Sequence, residues 1–345
     1  MTVAKLKPPK EGEWIHYEDD RRRLLIYGGD VTDPLGTLAA EGWNEFELLS
    51  TPRALAGASG LADGASRTHL VAAGRVDEVS AALLDEVDSD RLVAFGGGRV
   101  IDATKAVASI SGAEVAAIPT TLSGAPITGF HRLPAGRESE ASGFARPSLV
   151  VAYADVMTSA PEPQLRATAM NALAHGAESL YTPMADESSR ETALRGAELM
   201  AKALDKSPAK RDRPALALGA MLCAIAVDRA AGIALHHVLG QTTVRVLGVP
   251  HAETYAALLP ETMRAMRERA PEQIDALAAA LGTDADGLPE RIADLGGHRR
   301  LGELGADRAL LDEVPDQALA RAELVQQTPG EVTRDDLVAL LEAAW

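Results

Sequence analysis

Four histidines in the second half of the chain are the residues best placed to do chemistry. The 345-residue sequence holds eight in all, and His175, His236, His237 and His251 fall in or beside helical stretches. Asn171 and His175 stand four residues apart on one helix face. His237, Gln241 and Arg245 do the same at successive turns of another helix, and His251 follows Pro250 at the start of the next. A lone histidine on a helix is ordinarily core or surface. Two helices that bring His, Asn, Gln and Arg together define a polar site. Histidine pairs ligate divalent ions, but a zinc or iron site takes three or more protein ligands, usually with a carboxylate. The carboxamides of Asn171 and Gln241 are poor ligands and good partners for a carbonyl or carboxylate. The expectation is therefore a metal-free site in which His175, His237 and His251 donate hydrogen bonds or carry a proton. Asn171 and Gln241 would orient a substrate, and Arg245 with His131 would bind a distal carboxylate. A solvated helix face is the plainer account of Arg245.

A second chemical signal lies in the first half. Leu92-Val93-Ala94-Phe95 runs into Gly96-Gly97-Gly98, with Asp102 in the helix that follows. Glycines let backbone amides approach a pyrophosphate, and a helix N-terminus adds partial positive charge. The spacing is not the three-glycine dinucleotide fingerprint, and a tight strand–helix turn would read the same. Ile118-Pro119-Thr120-Thr121-Leu122-Ser123-Gly124 and Tyr27-Gly28-Gly29-Asp30 follow two further strand-like runs. Three polar, glycine-bearing strand ends suit the ligand crevice of an open α/β sheet. Ser50 and Thr51 close another strand, and no acidic residue stands there to exclude a 2′-phosphate. The expected cofactor is NADH or NADPH, held by Gly96, Gly97, Gly98, Thr120, Thr121, Leu122, Ser50, Thr51 and Asp102.

The elements that must position these residues change character along the chain. Short apolar runs at 24–27, 46–49, 69–72, 92–95 and 115–118 alternate with Ala-rich segments at 80–87 and 101–110. They read as buried parallel strands between helices, an α/β doubly wound sheet. After Pro161 and Pro163 the pattern is helical, at 165–181, 190–205, 214–227, 233–247, 252–269, 271–281 and 334–344. An α/β dinucleotide-binding domain over 1–157 and an all-α substrate domain over 158–345 follow. The segment 206–214, with two prolines, reads as an exposed linker between helices.

Composition narrows the function classes. Lys and Arg total 34 against 50 Asp and Glu, a formal net charge of −16. Such a surface repels phosphate backbones, so nucleic acid is not the expected partner. Apolar residues make up 46%, enough for a core, while aromatics at 3% leave Ala, Leu and Val to build it. The one cysteine, Cys223, has apolar neighbours and reads as an inert core thiol. No apolar run reaches the ~20 residues of a membrane span, and the first residues lack a signal-peptide core. The expectation is a cytoplasmic protein with no membrane partner and a small-molecule substrate.

Taken together, these residues resemble the iron-containing alcohol dehydrogenase family, with its dehydroquinate synthase-like fold, and within it the maleylacetate reductase branch. The resemblance is carried by Phe95-Gly96-Gly97-Gly98, Ile118-Pro119-Thr120-Thr121, the 170–181 stretch around Asn171 and His175, Leu235-His236-His237, Pro250-His251-Ala252-Glu253-Thr254 and the last residues through Trp345. It implies a homodimeric NAD(P)H-dependent reductase of a small anionic enone or carbonyl compound, in that branch a product of aromatic catabolism. In metal-dependent members an Asp, a His four residues later and two further His bind the ion. The matching positions here carry Asn171, His175, Gln241 and His251. Asn171 agrees with the maleylacetate reductases, which are taken to work without metal. Gln241 departs even from them, as do Arg99 in the glycine loop and Ala125-Pro126 after Ser123-Gly124. Those departures leave a second reading open: a lyase, isomerase or ligand-binding homologue without redox activity.

Overall fold

Leu92-Val93-Ala94-Phe95 is apolar at every position because both faces of its strand are covered. Leu92 and Ala94 pack with Leu49, Val100, Ile101, Val115 and Ala117. Val93 and Phe95 pack on the other side with Leu25, Leu48, Ile118 and Val151. The computed structural model describes residues 2–58 and 60–345. It divides into an α/β unit, Lys7–Ser159, and a helical unit of Ala160–Trp345 joined by residues 2–6.

The α/β unit holds a seven-stranded sheet. Its strands are β1 (Trp14–Glu18), β2 (Arg23–Tyr27), β3 (Glu47–Ser50), β4 (Arg67–Leu70), β5 (Arg91–Gly96), β6 (Glu114–Pro119) and β7 (Leu149–Tyr153). The order is β1-β2-β7-β6-β5-β3-β4. All neighbours are parallel except the edge pair β1–β2. Register aligns Gly96 with Pro119 and Phe95 with both Ile118 and Ser50, so these strands end together. β1 and β7 add to the strands expected from sequence. β1 is an exposed edge, and the apolar run of β7 stands at the border of the helical half, after a long polar stretch. β4 begins and ends two residues earlier than the 69–72 run suggested.

Helices of eight residues or more are numbered α1 (Val76–Leu83), α2 (Gly98–Ser111), α3 (Glu162–Glu178), α4 (Glu187–Leu204), α5 (Arg213–Ala230), α6 (Leu235–Leu247), α7 (His251–Met266), α8 (Pro271–Leu281), α9 (Leu288–Gly296) and α10 (Arg334–Ala344). The last eight belong to the helical unit. There α3, α4 and α5 pack through small residues. A Cβ at Gly176 would lie 2.8 Å from Cys223 Sγ, and one at Gly196 2.7 Å from the same atom. Cys223 is fully buried, and burial pushes its thiol up to about 12, which agrees with an inert core residue. Among the described residues no single helix is long and apolar enough to cross a membrane.

Two boundaries differ from expectation. Residues 2–6 join the helical unit, where Val3 and Ala4 are buried and the Val3–Lys5 turn packs on α4. The 206–214 segment is exposed over most of its length, as expected, except at Arg211 and, in part, Pro214. Arg211 is buried and grips both carboxylate oxygens of Glu162, at 2.6 and 2.7 Å, in the first turn of α3. A bidentate pair fixes this connection where composition alone suggests a solvated linker.

Candidate active site

Glu178 is the fully buried carboxylate at the end of α3. Its Oε1 accepts the backbone N–H of His236 at 2.7 Å and of His237 at 3.2 Å. These are orphan amides in the first turn of α6, where the helix dipole also favours an anion. Its Oε2 lies 2.6 Å from His237 Nδ1. One carboxylate thus caps a helix from a neighbouring helix and fixes a histidine tautomer, with the proton on Nδ1. His237 Nε2 is buried and has no partner.

The surrounding groups repeat this pattern. His175 stacks on His237 with ring centroids 4.5 Å apart and an 18° interplanar angle, and its Nδ1 is unpartnered. His236 Nδ1 meets Thr262 Oγ1 at 2.9 Å, while that hydroxyl donates to the Leu259 carbonyl. The Thr262 oxygen therefore accepts, His236 carries its proton on Nδ1, and its buried Nε2 is left open. Asn171 Oδ1 and Tyr181 Oη are likewise buried without partners. Tyr255 lies edge-on to His236 and His237 and 4.3 Å from the ring of His251. Burial, then the neighbouring His237, His236 and His251, hold His175 well below the usual histidine range. Burial and the adjacent histidines do the same to His236. Both are neutral at pH 7. Buried polar atoms are ordinarily satisfied; a concentration of open ones is what a polar ligand would complete.

The helical unit thus brings together Asn171, His175 and His237. His251 is the exposed first residue of α7 and joins them through Tyr255. Gln241 lies one turn beyond His237, and its Oε1 accepts from Arg321 Nη1 at 2.6 Å. Arg245 is exposed and donates to Gln317 at 3.0 Å, so its guanidinium stands on the outer part of this helix face. Sequence reasoning passed over Glu178, Tyr255 and Arg321. Glu178 was accessible to it, since it stands three residues after His175 on the same face of an apolar helix. Nothing in the spacing pointed to Arg321, 80 residues from its partner.

The α/β unit carries the glycine loop. Gly97 precedes α2, and no side chain caps the first amides of that helix. A Cβ at Gly97 would lie 3.2 Å from Thr121 Cγ2, and one at Gly98 3.0 Å from Ser123 Oγ. Ser123 Oγ is buried and unpartnered. Exposed amides, a backbone free of side chains and an open hydroxyl fit the phosphates of a dinucleotide. Thr120 and Thr121 are half-buried beside the loop and Leu122 is fully buried. Other expected cofactor residues have structural bonds. Ser50 Oγ donates to the Phe95 carbonyl at 2.7 Å, Thr51 caps the Pro52–Leu55 turn, and Asp102 Oδ1 receives Lys105 Nζ at 2.7 Å. His131 departs from its expected role in binding substrate. Its Nδ1 bonds the Arg132 carbonyl and its Nε2 accepts the Ala145 amide, so both nitrogens pin a loop.

A parallel-sheet α/β unit joined to a helical unit with a buried histidine cluster is the architecture of a dehydroquinate synthase-like fold, and the relatives make its class that of the NAD(P)-dependent oxidoreductases. The profile "Iron-containing alcohol dehydrogenase" matches residues 7–161, and "Fe-containing alcohol dehydrogenase family, C-terminal" matches 166–345. The chain belongs to the iron-containing alcohol dehydrogenase family, and it is similar to members of the maleylacetate reductase branch. It is 31% identical over 278 residues to maleylacetate reductase 1 of Rhodococcus opacus, covering 78% of this chain and 77% of that one. It is 32% identical to the maleylacetate reductase of Rhizobium sp. strain MTP-10005, over 74% of each chain. The crystal structure of maleylacetate reductase from Agrobacterium tumefaciens superposes with a TM-score of 0.80 at 26% identity, covering 96% of this chain and 98% of that one.

Proposed function

We propose that this chain is a metal-independent, NAD(P)H-dependent reductase of a small anionic enone or carbonyl compound, of the kind for which its maleylacetate reductase relatives are named. The observation that carries the proposal is the Glu178–His237 pair set among unpartnered buried polar atoms. The donor set at the family's metal positions does not fit an ion. Asn171 and Gln241 offer neutral amide oxygens, and that of Gln241 already accepts from a guanidinium. The cofactor's phosphates would rest on the Gly97 and Gly98 amides and the Ser123 hydroxyl, with Thr120 and Thr121 beside them.

The nicotinamide supplies the two electrons and hydrogen of the reduction. The chain's own groups handle the charge that develops on the substrate oxygen. Glu178 fixes the His237 ring with its proton on Nδ1, so Nε2 is the acceptor that takes up a proton from the relay and, once the ring is charged, delivers it to the substrate oxygen. His175, neutral at pH 7, stacks behind that ring without competing for the proton. Asn171 orients the substrate, and His251, exposed at the start of α7, relays protons from water. The resemblance further supports a homodimer in the cytoplasm. The decisive experiment is a panel of enoate and oxo acids offered with NADH and with NADPH, read by loss of the reduced cofactor. Turnover of an acidic enone without added metal and after chelation is expected. Failure of both cofactors to bind at millimolar concentration, or one tightly held iron or zinc per active chain, would overturn the reading.

A further inference from the structure

Gln241 stands where the family resemblance places a metal ligand, and the structure gives it a cationic neighbour. Arg321 lies at the turn between the short helices Val314–Leu319 and Ala322–Gln327. Its Nη1 donates to Gln241 Oε1 at 2.6 Å, and its Nη2 pairs with Glu323 Oε1 at 3.0 Å. Only 23% of its side chain is exposed, against 46% for Glu323. A guanidinium has five N–H donors, and these two bonds leave three unspent. Gln241 is one helical turn from His237, roughly 6 Å between Cβ atoms. An amide oxygen holds a guanidinium in place without cancelling its charge, as a carboxylate would. Glu323, about half exposed, offsets part of that charge from one end of the fork and leaves the other N–H groups to an anion.

We propose that Arg321 is the fixed cation of the active site, held by Gln241 to receive a carboxylate of the substrate and, by its charge, to keep a divalent ion out. The inference rests on the reductase reading for its substrate half and stands apart from it for the metal half. Arg suits the task because its planar fork matches a carboxylate and its charge persists at every working pH. Arg245, one turn further along α6, is exposed, where solvent weakens its hold on a carboxylate, so it is the poorer receptor. A receptor of this kind selects dicarboxylate or similarly charged substrates and discriminates against their esters.

Two measurements test the proposal. With maleylacetate and its dimethyl ester as probes, Arg321→Gln should raise KM for the diacid at least tenfold and leave KM for the ester within twofold. Arg321→Lys should fall between, and NAD(P)H affinity should hold in both variants. Equal effects on acid and ester, or none on the acid, would overturn the substrate role. Zinc binding by calorimetry needs no turnover. Gln241→His should bind Zn²⁺ at least tenfold more weakly than Gln241→His combined with Arg321→Ala, with Arg321→Lys in the same background staying weak. Equal zinc affinities would overturn the claim that Arg321 excludes the ion. Absence of turnover in the parent enzyme, with the zinc difference present, would refute the reductase reading and leave the cation assignment standing.

Discussion

Glu178 shows how one residue can serve fold and chemistry together. Its three bonds order the start of α6 and orient His237 in a single stroke. Glu178→Gln keeps the shape but turns an acceptor into an amide that faces a donor. We expect kcat to fall about 100-fold, the scale of one positioned proton carrier, with a loss of about 1–3 kcal/mol in stability from the unsatisfied donor. Steady-state kinetics beside urea unfolding would measure both, and an unchanged kcat would remove the pair from the mechanism. Gly98→Ala probes the other unit. Its Cβ would press on Ser123 Oγ at 3.0 Å and stand over the amides of α2. Cofactor affinity should drop at least tenfold while the melting temperature moves little; fluorescence titration with NADH would read it, and native affinity would exclude the loop as the phosphate site.

At the scale of elements, α2 is held to the following loop by a fully buried lysine. Lys105 Nζ reaches Asp102 at 2.7 Å and the carbonyls of Ala125, Thr128 and Phe130 at 3.1, 2.9 and 2.9 Å. Removing the ammonium leaves carbonyls without a donor, so Lys105→Met should cost about 3 kcal/mol. A urea midpoint unchanged from the parent would contradict this. The same element shows what a sequence displays and what it hides. Its glycine start and apolar flank are local patterns, as are the both-face apolar strands β5 and β6, and they can be read directly. The lysine's partners are carbonyls 20–25 residues away, and a carbonyl belongs to every residue, so composition cannot mark them. For the same reason Asn171 and His175 were legible as a helical pair, whereas the Arg321–Gln241 contact depends on how two short helices fold back on α6. β7 was missed because its apolar run stands alone after a long polar stretch, at the border of the helical half, with no flanking strand–helix alternation to mark it.

For the whole molecule, the net charge of −16 sets solubility and leaves the chemistry to enclosed groups. Those groups also set how stability depends on acidity. His175 and His236 are held well below the ordinary value of 6.5, chiefly by burial. The unfolded chain takes up their protons near pH 6.5, while the folded chain resists. Stability is therefore fully present above pH 6.5 and is lost as pH falls through that value toward the lowered folded ones. Each group contributes a slope of at most about 1.4 kcal/mol per pH unit. Paired carboxylates such as Glu162 and Asp186, held below 4.5 and 3.8 by Arg211 and by the Ser189 amide, act only at lower pH. Between pH 6.5 and 5 the decline belongs to His175 and His236, with a share from His131, which burial also holds below 6.5. Urea midpoints taken across that range should fall steadily in the parent, and His236→Gln should reduce the slope by roughly a third to a half. A flat parent profile, or an undiminished slope in the variant, would mean that the buried histidines do not resist protonation in the folded state and that the cluster is wetter than its packing indicates.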